Sequence, residues 1–160
     1  MIGVGVWGRV WKVKHAETKE TFAMKMMSSI TSEEKRMALN EIEVLKHANH
    51  ENIVKFQEEI HESGFVLIIM EYCCNGDLAS VIQRQRTVLR TPFSEENVIL
   101  WFQQLVSGML YLHRKNIFHR DIKLGNIFLG SSQKLKIGDF GFARMISGKL
   151  KTLVSTNRCA

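Results

Sequence analysis

His119-Arg-Asp-Ile-Lys-Leu-Gly-Asn126 is the segment of this 160-residue chain whose residue types are best suited to chemistry. Asp121 could accept or align a hydroxyl proton, Lys123 could neutralise a phosphoryl group in transfer, and Asn126 could hold a metal ion through its amide oxygen. Asp139-Phe-Gly141 follows, behind the β-like run Leu135 to Ile137, and offers a second oxygen ligand. Two oxygen donors suit Mg²⁺, which keeps several waters and bridges phosphates. A lone Asp-Phe-Gly commonly means a turn. The two motifs in this order are poorly explained by chance.

Gly3, Gly5 and Gly8 with Val10 spell G-x-G-x-x-G-x-V. Glycines at this spacing let backbone N–H groups approach phosphate oxygens that a Cβ would hold off. A dinucleotide-binding version would open a helix, whereas here an alternating strand begins at Arg9, so the loop joins two strands. On these residues alone an ordinary glycine-rich turn is the alternative. Lys25 ends Phe22-Ala-Met-Lys25 on the returning strand, and taken singly it reads as a solvated lysine. Glu41 changes that balance, because it lies four residues after Met37 and four before Leu45, on the apolar line of a helix. A carboxylate there is costly without a partner. Its rival Glu43 has mostly polar neighbours at helical spacing and is expected to face solvent. A Lys25–Glu41 ion pair holding α and β phosphates is the sharper reading.

The elements that position these residues follow from periodicity. Arg9 to His15 and Thr21 to Met27 form a hairpin around Glu17 to Glu20. Thr31 with Glu34 reads as a capping box opening a helix to about His47, with Met37, Ala38, Ile42 and Leu45 on its apolar face. Ile53 to Ile60 and Phe65 to Tyr72 make a second strand pair about Ser63-Gly64. Past Asn75-Gly76 the pattern becomes helical, from Asp77 to about Arg86 and from Ser94 to about Arg114. Ser94 caps the latter, and Val98, Trp101, Phe102, Leu105, Val106, Met109 and Leu112 give it a wide apolar face. Short strands are predicted at Ile127 to Leu129 and Leu135 to Ile137.

Length gives a prior of about one domain. The longest apolar run, Phe65 to Met70, falls short of the roughly 18 residues a membrane span needs, and Met1 to Val10 has no signal-peptide character. A cytoplasmic location is expected, with a nuclear or cytoskeletal association as variants. Three cysteines, Cys73 and Cys74 adjacent among them, make a poor disulfide framework and match no zinc spacing, so they read as reduced thiols. The balance of 22 Lys+Arg over 16 Asp+Glu, a net +6, admits nucleic acid or phosphate-bearing ligands. The basic residues are scattered, with loose groupings at Arg84/Arg86/Arg90 and Lys134/Lys136, so a solvated basic surface is preferred and no nucleic acid is expected.

From Gly3 to about Arg144 these motifs together resemble the eukaryotic protein kinase family. The resemblance implies an α+β, bilobal fold: a β-rich N-lobe with one helix over residues 1–72, a hinge over 73–77, and an incomplete helical C-lobe over 78–160. It implies ATP and Mg²⁺ as cofactors and protein serine or threonine hydroxyls as acceptors, Lys123 two residues after Asp121 being the serine/threonine mark. Met70 would be the gatekeeper. Glu71, Tyr72 and Cys73 would lend backbone hydrogen bonds to adenine, Asp77 would meet the ribose, and Val10, Ala23 and Phe128 would sandwich the purine, though ordinary core packing explains those three equally. Leu45, Phe56, His119 and Phe140 fall where the family stacks its regulatory spine. Phe142 implies a preference for serine over threonine.

Met-Glu-Tyr-Cys-Cys-Asn-Gly-Asp-Leu and the Trp101-Phe-Gln-Gln104 helix look most like the NIMA-related kinases, while Ile137 to Arg144 suits the autophagy-initiating kinases equally. By the same resemblance the chain starts inside the first strand and stops, at Ala160, before the Gly-Thr-Pro and Ala-Pro-Glu features. Met145 to Ala160 would be the activation loop, with Ser155 and Thr156 as targets of an upstream or self-activating kinase and Arg120 as the phosphate's partner. Two readings therefore stand: a phosphotransferase, or a truncated, catalytically weak fragment binding ATP or a partner. The wide apolar face of the Ser94 helix also leads to an expectation that this span alone is unstable.

Overall fold

The computed structural model describes residues 1–5 and 8–146. Strands β1 (Gly3–Gly5), β2 (Gly8–Lys14), β3 (Thr21–Ser28), β4 (Phe56–Glu62) and β5 (Phe65–Glu71) form one antiparallel sheet in the order β1-β2-β3-β5-β4. The Gly3–Gly5 strand is the remnant of the first strand that the sequence places before the glycine loop. It exists because Gly3 pairs Val10 and Gly5 pairs Gly8, which folds the glycine motif back on itself as the end of a hairpin. Gly8 is required there by a close approach: a Cβ would stand 2.3 Å from the Met26 carbonyl oxygen.

Helix α1 (Ser32–His47) carries the expected capping box, with Thr31 Oγ1 accepting from the Glu34 N–H and the Glu34 carboxylate accepting from the Thr31 N–H. Such a cap contributes about 1 kcal/mol. Ala38, Glu41, Ile42, Val44 and Leu45 are its buried positions, and Glu43 is exposed as expected. Met27, Val66 and Ile68 meet this face from the sheet, in the same core cluster.

The segment after α1 departs from expectation. Ile53 does not begin β4; it makes a parallel bridge to Ile137 of β8 (Leu135–Ile137). The backbone there is fully engaged, with Val54 N–H donating to Ile137 O at 2.9 Å and Ile137 N–H donating to Asn52 O at 2.8 Å. Asn52, buried, adds side-chain donation to Leu135 O and Gln104 Oε1, both at 3.0 Å. These bonds dock the strand-rich half on the helical half.

Helix α2 (Leu78–Arg84), capped by Asp77, passes into a π-type turn over Gln85–Leu89 that ends at Arg90 with φ +52°. Helix α3 (Glu95–Arg114) packs against β8. Its predicted apolar face divides. Trp101, Gly108 and Leu112 are buried and Leu105 and Met109 pack beside them, whereas Val98 (50%), Phe102 (65%) and Val106 (46%) are exposed. The reason is Gly108, which brings the helix against β8: a Cβ there would sit 2.8 Å from Ile137 Cδ1. That contact fixes which side turns inward. Strands β7 (Ile127–Leu129) and β8 form the predicted pair, and β6 (Ile117–Phe118) pairs with β9 (Arg144–Met145), two strands too short to show a period. The whole is an α+β fold. No helix among the described residues is long and apolar enough to cross a membrane.

Candidate active site

A cleft of about 490 Å³ opens between the sheet and the helical half. Its roof is Gly3, Val10 and Ala23, its back edge Met70, Glu71, Tyr72 and Cys73, and its floor includes Asp77, Phe128, Asp121, Lys123 and Asn126. Lys25, Glu41 and Asp139 close its deep end. Residues separated by more than a hundred positions thus face one space.

At that end Lys25 Nζ donates to Glu41 Oε1 at 2.7 Å, to Glu41 Oε2 at 2.8 Å and to Asp139 Oδ1 at 3.0 Å. The register explains the meeting. Lys25 alternates inward with Ala23 and Met27 on β3, and Glu41 projects from the buried line of α1. Burial opposes the charge on Lys25, but the Glu41 and Asp139 carboxylates outweigh it and hold the ammonium above its ordinary range. Burial pushes the Glu41 carboxyl up while Lys25 pulls it back down, and the bidentate contact of both Glu41 oxygens with one Nζ is the geometry of an ion pair.

The motif loop is organised by its own side chains. Lys123 Nζ donates to Asp121 Oδ2 at 2.7 Å, and Asn126 Nδ2 donates to Asp121 O at 2.9 Å and Oδ2 at 2.8 Å. The Lys123 hydrogen bond, foremost, holds the Asp121 carboxyl below its usual range, so it is ionised. His119 is buried, with ring centroids 4.8 Å from Phe140. It bonds Gly138 O through Nε2 at 3.0 Å, and its Nδ1 accepts the Asp121 N–H at 3.3 Å. Those partners define the neutral Nε2–H tautomer, and burial keeps its pKa low. Arg120 Nε donates to Phe142 O at 2.7 Å. Both Arg120 and Asp139 take positive φ, 64° and 58°, a strained conformation that clusters at functional sites.

An Mg²⁺ ion fits the donor set. Asn126 spends its amide N–H groups on Asp121, which leaves its carbonyl oxygen without a hydrogen bond among the described residues, and Asp139 Oδ2 is likewise unbonded. Hard, free oxygens are the ligands Mg²⁺ takes. Along the back edge, Cys73 O accepts from Gly76 N–H at 3.3 Å while its own N–H meets no protein acceptor among the described residues, leaving it for a ligand. Burial, with the nearby Glu71 charge, pushes the Cys73 thiol up to about 12. Cys73 and Cys74 are both free thiols.

Several features escaped the sequence. Both Asp77 oxygens are engaged with Ser80, at 2.8 Å to its N–H and 2.6 Å to its hydroxyl, so this residue is a helix cap as well as a cleft residue. Lys136, grouped above with scattered surface charge, is buried and paired with Glu71 Oε2 at 2.8 Å. Strand alternation sets Lys136 on the face opposite Leu135 and Ile137, so nothing in the sequence signalled its burial. Val54, packed within the cleft wall, had no signal either. Ser155 and Thr156 lie outside the described residues.

One cleft thus gathers the buried lysine–glutamate pair, the Asp/Lys/Asn loop and the Asp-Phe-Gly turn. Comparison with known families matches residues 1–159 to the protein kinase domain, and the chain belongs to that family. Among curated relatives it is similar to the serine/threonine-protein kinase Nek3 of Mus musculus, 37% identical over 94% of this chain and 29% of that protein. Nek5 of Mus musculus is 39% identical over 94% of this chain and 23% of that protein. The probable serine/threonine-protein kinase nek1 of Dictyostelium discoideum is 36% identical over 91% and 33% respectively. This chain thus spans about a third or less of those relatives, in keeping with the NIMA-related resemblance of its motifs.

Proposed function

We propose that this protein is a protein serine/threonine kinase that transfers the γ-phosphoryl group of ATP to hydroxyls of protein substrates. The supporting observation is the Lys25–Glu41–Asp139 cluster facing Asp121, Lys123 and Asn126 across one cleft. Residues 1–72 act as the N-lobe, 73–77 as the hinge and 78 onward as the C-lobe. Adenine lies between Val10, Ala23 and Phe128 beside Met70, bonded by the backbone of Glu71 and Cys73, with Asp77 at the ribose. Gly3, Gly5 and Gly8 cover the phosphates and Lys25 holds two of them. Asn126 and Asp139 would hold Mg²⁺, which would supply charge neutralisation at the phosphate oxygens.

The hydroxyl oxygen of the acceptor bonds to the γ-phosphorus, the bond to the β–γ bridging oxygen breaks, ADP leaves, and the hydroxyl proton passes to Asp121. Lys123, at 2.7 Å from Asp121, steadies the charge on the moving group. Phe142 at the cleft mouth favours serine over threonine. A compartment rich in ATP and reduced thiols, the cytoplasm, suits this chemistry. Phosphorylation at Ser155 or Thr156 by an upstream or identical kinase would meet Arg120, whose Nε is engaged but whose terminal amino groups are free among the described residues. The test is phosphoryl transfer from labelled ATP to a generic protein by the full-length protein: Mg²⁺-dependent phosphoserine is expected, and its absence with an intact fold overturns the reading.

A further inference from the structure

Asn40, beside Glu41 on α1, donates from Nδ2 to the Ala143 carbonyl at 2.9 Å, across 103 positions of sequence. Ala143 N–H in turn donates to Phe140 O at 2.9 Å, closing the turn that begins at Asp139. Consecutive residues of one helix therefore grip both ends of this turn: Glu41 through Lys25 to Asp139, and Asn40 directly to Ala143. From the helical half, Arg120 Nε bonds Phe142 O within the turn, and His119 bonds the carbonyl of Gly138 just before it.

The two links from α1 differ in permanence. The Lys25–Asp139 link joins two groups that the proposed chemistry calls elsewhere, the ammonium to phosphates and the carboxylate to a metal. The Asn40–Ala143 link uses a side-chain amide and a backbone carbonyl, neither of which makes another hydrogen bond among the described residues. We infer that Asn40 is a positioning residue that keeps the Asp139–Ala143 turn registered to α1 once Lys25 and Asp139 engage nucleotide, which sets the metal ligand and the phosphate-holding lysine at a fixed separation. This inference rests on the kinase reading for its purpose. The tether itself stands on the geometry alone.

The isosteric Asn40→Asp removes the donor and sets a negative oxygen against the Ala143 carbonyl, and Asn40→Leu keeps the volume without polarity. In the full-length protein both should lower kcat at least tenfold while nucleotide affinity, measured by binding of a fluorescent ATP analogue, changes less than about twofold. Hydrogen exchange in the nucleotide-free protein is the second readout. Amides of 139–146 should exchange faster in both variants, while those of 37–47 keep their protection. Asn40→Gln, which retains the donor, should recover most of the kcat. Unchanged exchange at 139–146 in the Asp variant overturns the tether, whether or not the protein proves to be a kinase. Faster exchange with kcat unaffected overturns the positioning role. A Leu variant with parental kcat and exchange shows that the site needs packing only and also overturns it.

Discussion

Lys25 Nζ lies 3.0 Å from Asp139 Oδ1 while bonding both oxygens of Glu41, so all three of its N–H donors are spent within the protein. Binding of phosphates at Lys25 requires one of these bonds to yield. The Asp139 side chain is 34% exposed and holds by a single oxygen, whereas Glu41 is 1% exposed and holds by two. On the proposed kinase reading Asp139 is the partner that would let go, which would free its carboxylate for a metal.

Lys25→Met should therefore do two separable things. Phosphoryl transfer falls by orders of magnitude, because positioning and charge stabilisation carry most of this catalysis. Stability also falls, by about 3–5 kcal/mol, since Glu41 is left buried without its counter-charge. The double variant Lys25→Met/Glu41→Leu should regain much of that stability and none of the activity. Urea unfolding of the three proteins measures this. Equal stability of the single variant and the parent would show that Glu41 is not held by Lys25.

Asp139→Asn should nearly abolish turnover with thermal unfolding still cooperative, because a neutral amide is a poorer Mg²⁺ ligand. Titration of activity with Mg²⁺ and then Mn²⁺ checks the assignment. Parental activity at low Mg²⁺ would remove Asp139 from the metal site.

Gly108→Ala opposes two effects of known size. Helix propensity favours alanine by about 1 kcal/mol, but the new Cβ would meet Ile137 Cδ1 at 2.8 Å and Asn52 O at 3.1 Å. The carbonyl cannot step aside, because it accepts the Ile137 N–H. Overpacking of this kind costs about 1–3 kcal/mol, so a net loss is expected in a denaturant titration. A gain would mean that α3 stands further from β8.

His119 makes stability depend on pH. Burial lowers its pKa below the ordinary 6.5, and its Nδ1 accepts the Asp121 N–H, a bond the protonated ring cannot make. The unfolded chain thus binds more protons below about pH 6.5, and stability falls as pH drops through that range. The urea midpoint should decline between pH 7.5 and 5.5, and decline less in His119→Gln. Parallel declines in the two proteins would exonerate this histidine.

Cys73 lines the cleft yet should resist alkylation. With its pKa pushed up to about 12, very little thiolate exists at pH 8. Peptide mapping after iodoacetamide should find Cys73 unmodified under native conditions and modified after unfolding. Rapid native labelling of Cys73 would contradict the burial that raises it.

Much of this molecule was fixed by local sequence. Thr31 with Glu34 began α1, the run Ile127 to Leu129 and its partner Leu135 to Ile137 were strands by period, and Glu41 betrayed itself as a carboxylate on an apolar line. These signals are short-range, set by helix and strand geometry, and they placed every proposed catalytic residue on its element. What tertiary structure alone decided was which groups share partners. Asp139 joining Lys25, Asn40 reaching Ala143, Lys136 burying itself on Glu71 and Ile53 leaving β4 for β8 all link positions from 65 to 114 residues apart. The division of the α3 face was settled in the same way, by the approach of Gly108 to Ile137. Periodicity states which side of an element is apolar; only the packing of two elements determines which part of that side finds a neighbour, because distance between chains is not a property of either sequence segment.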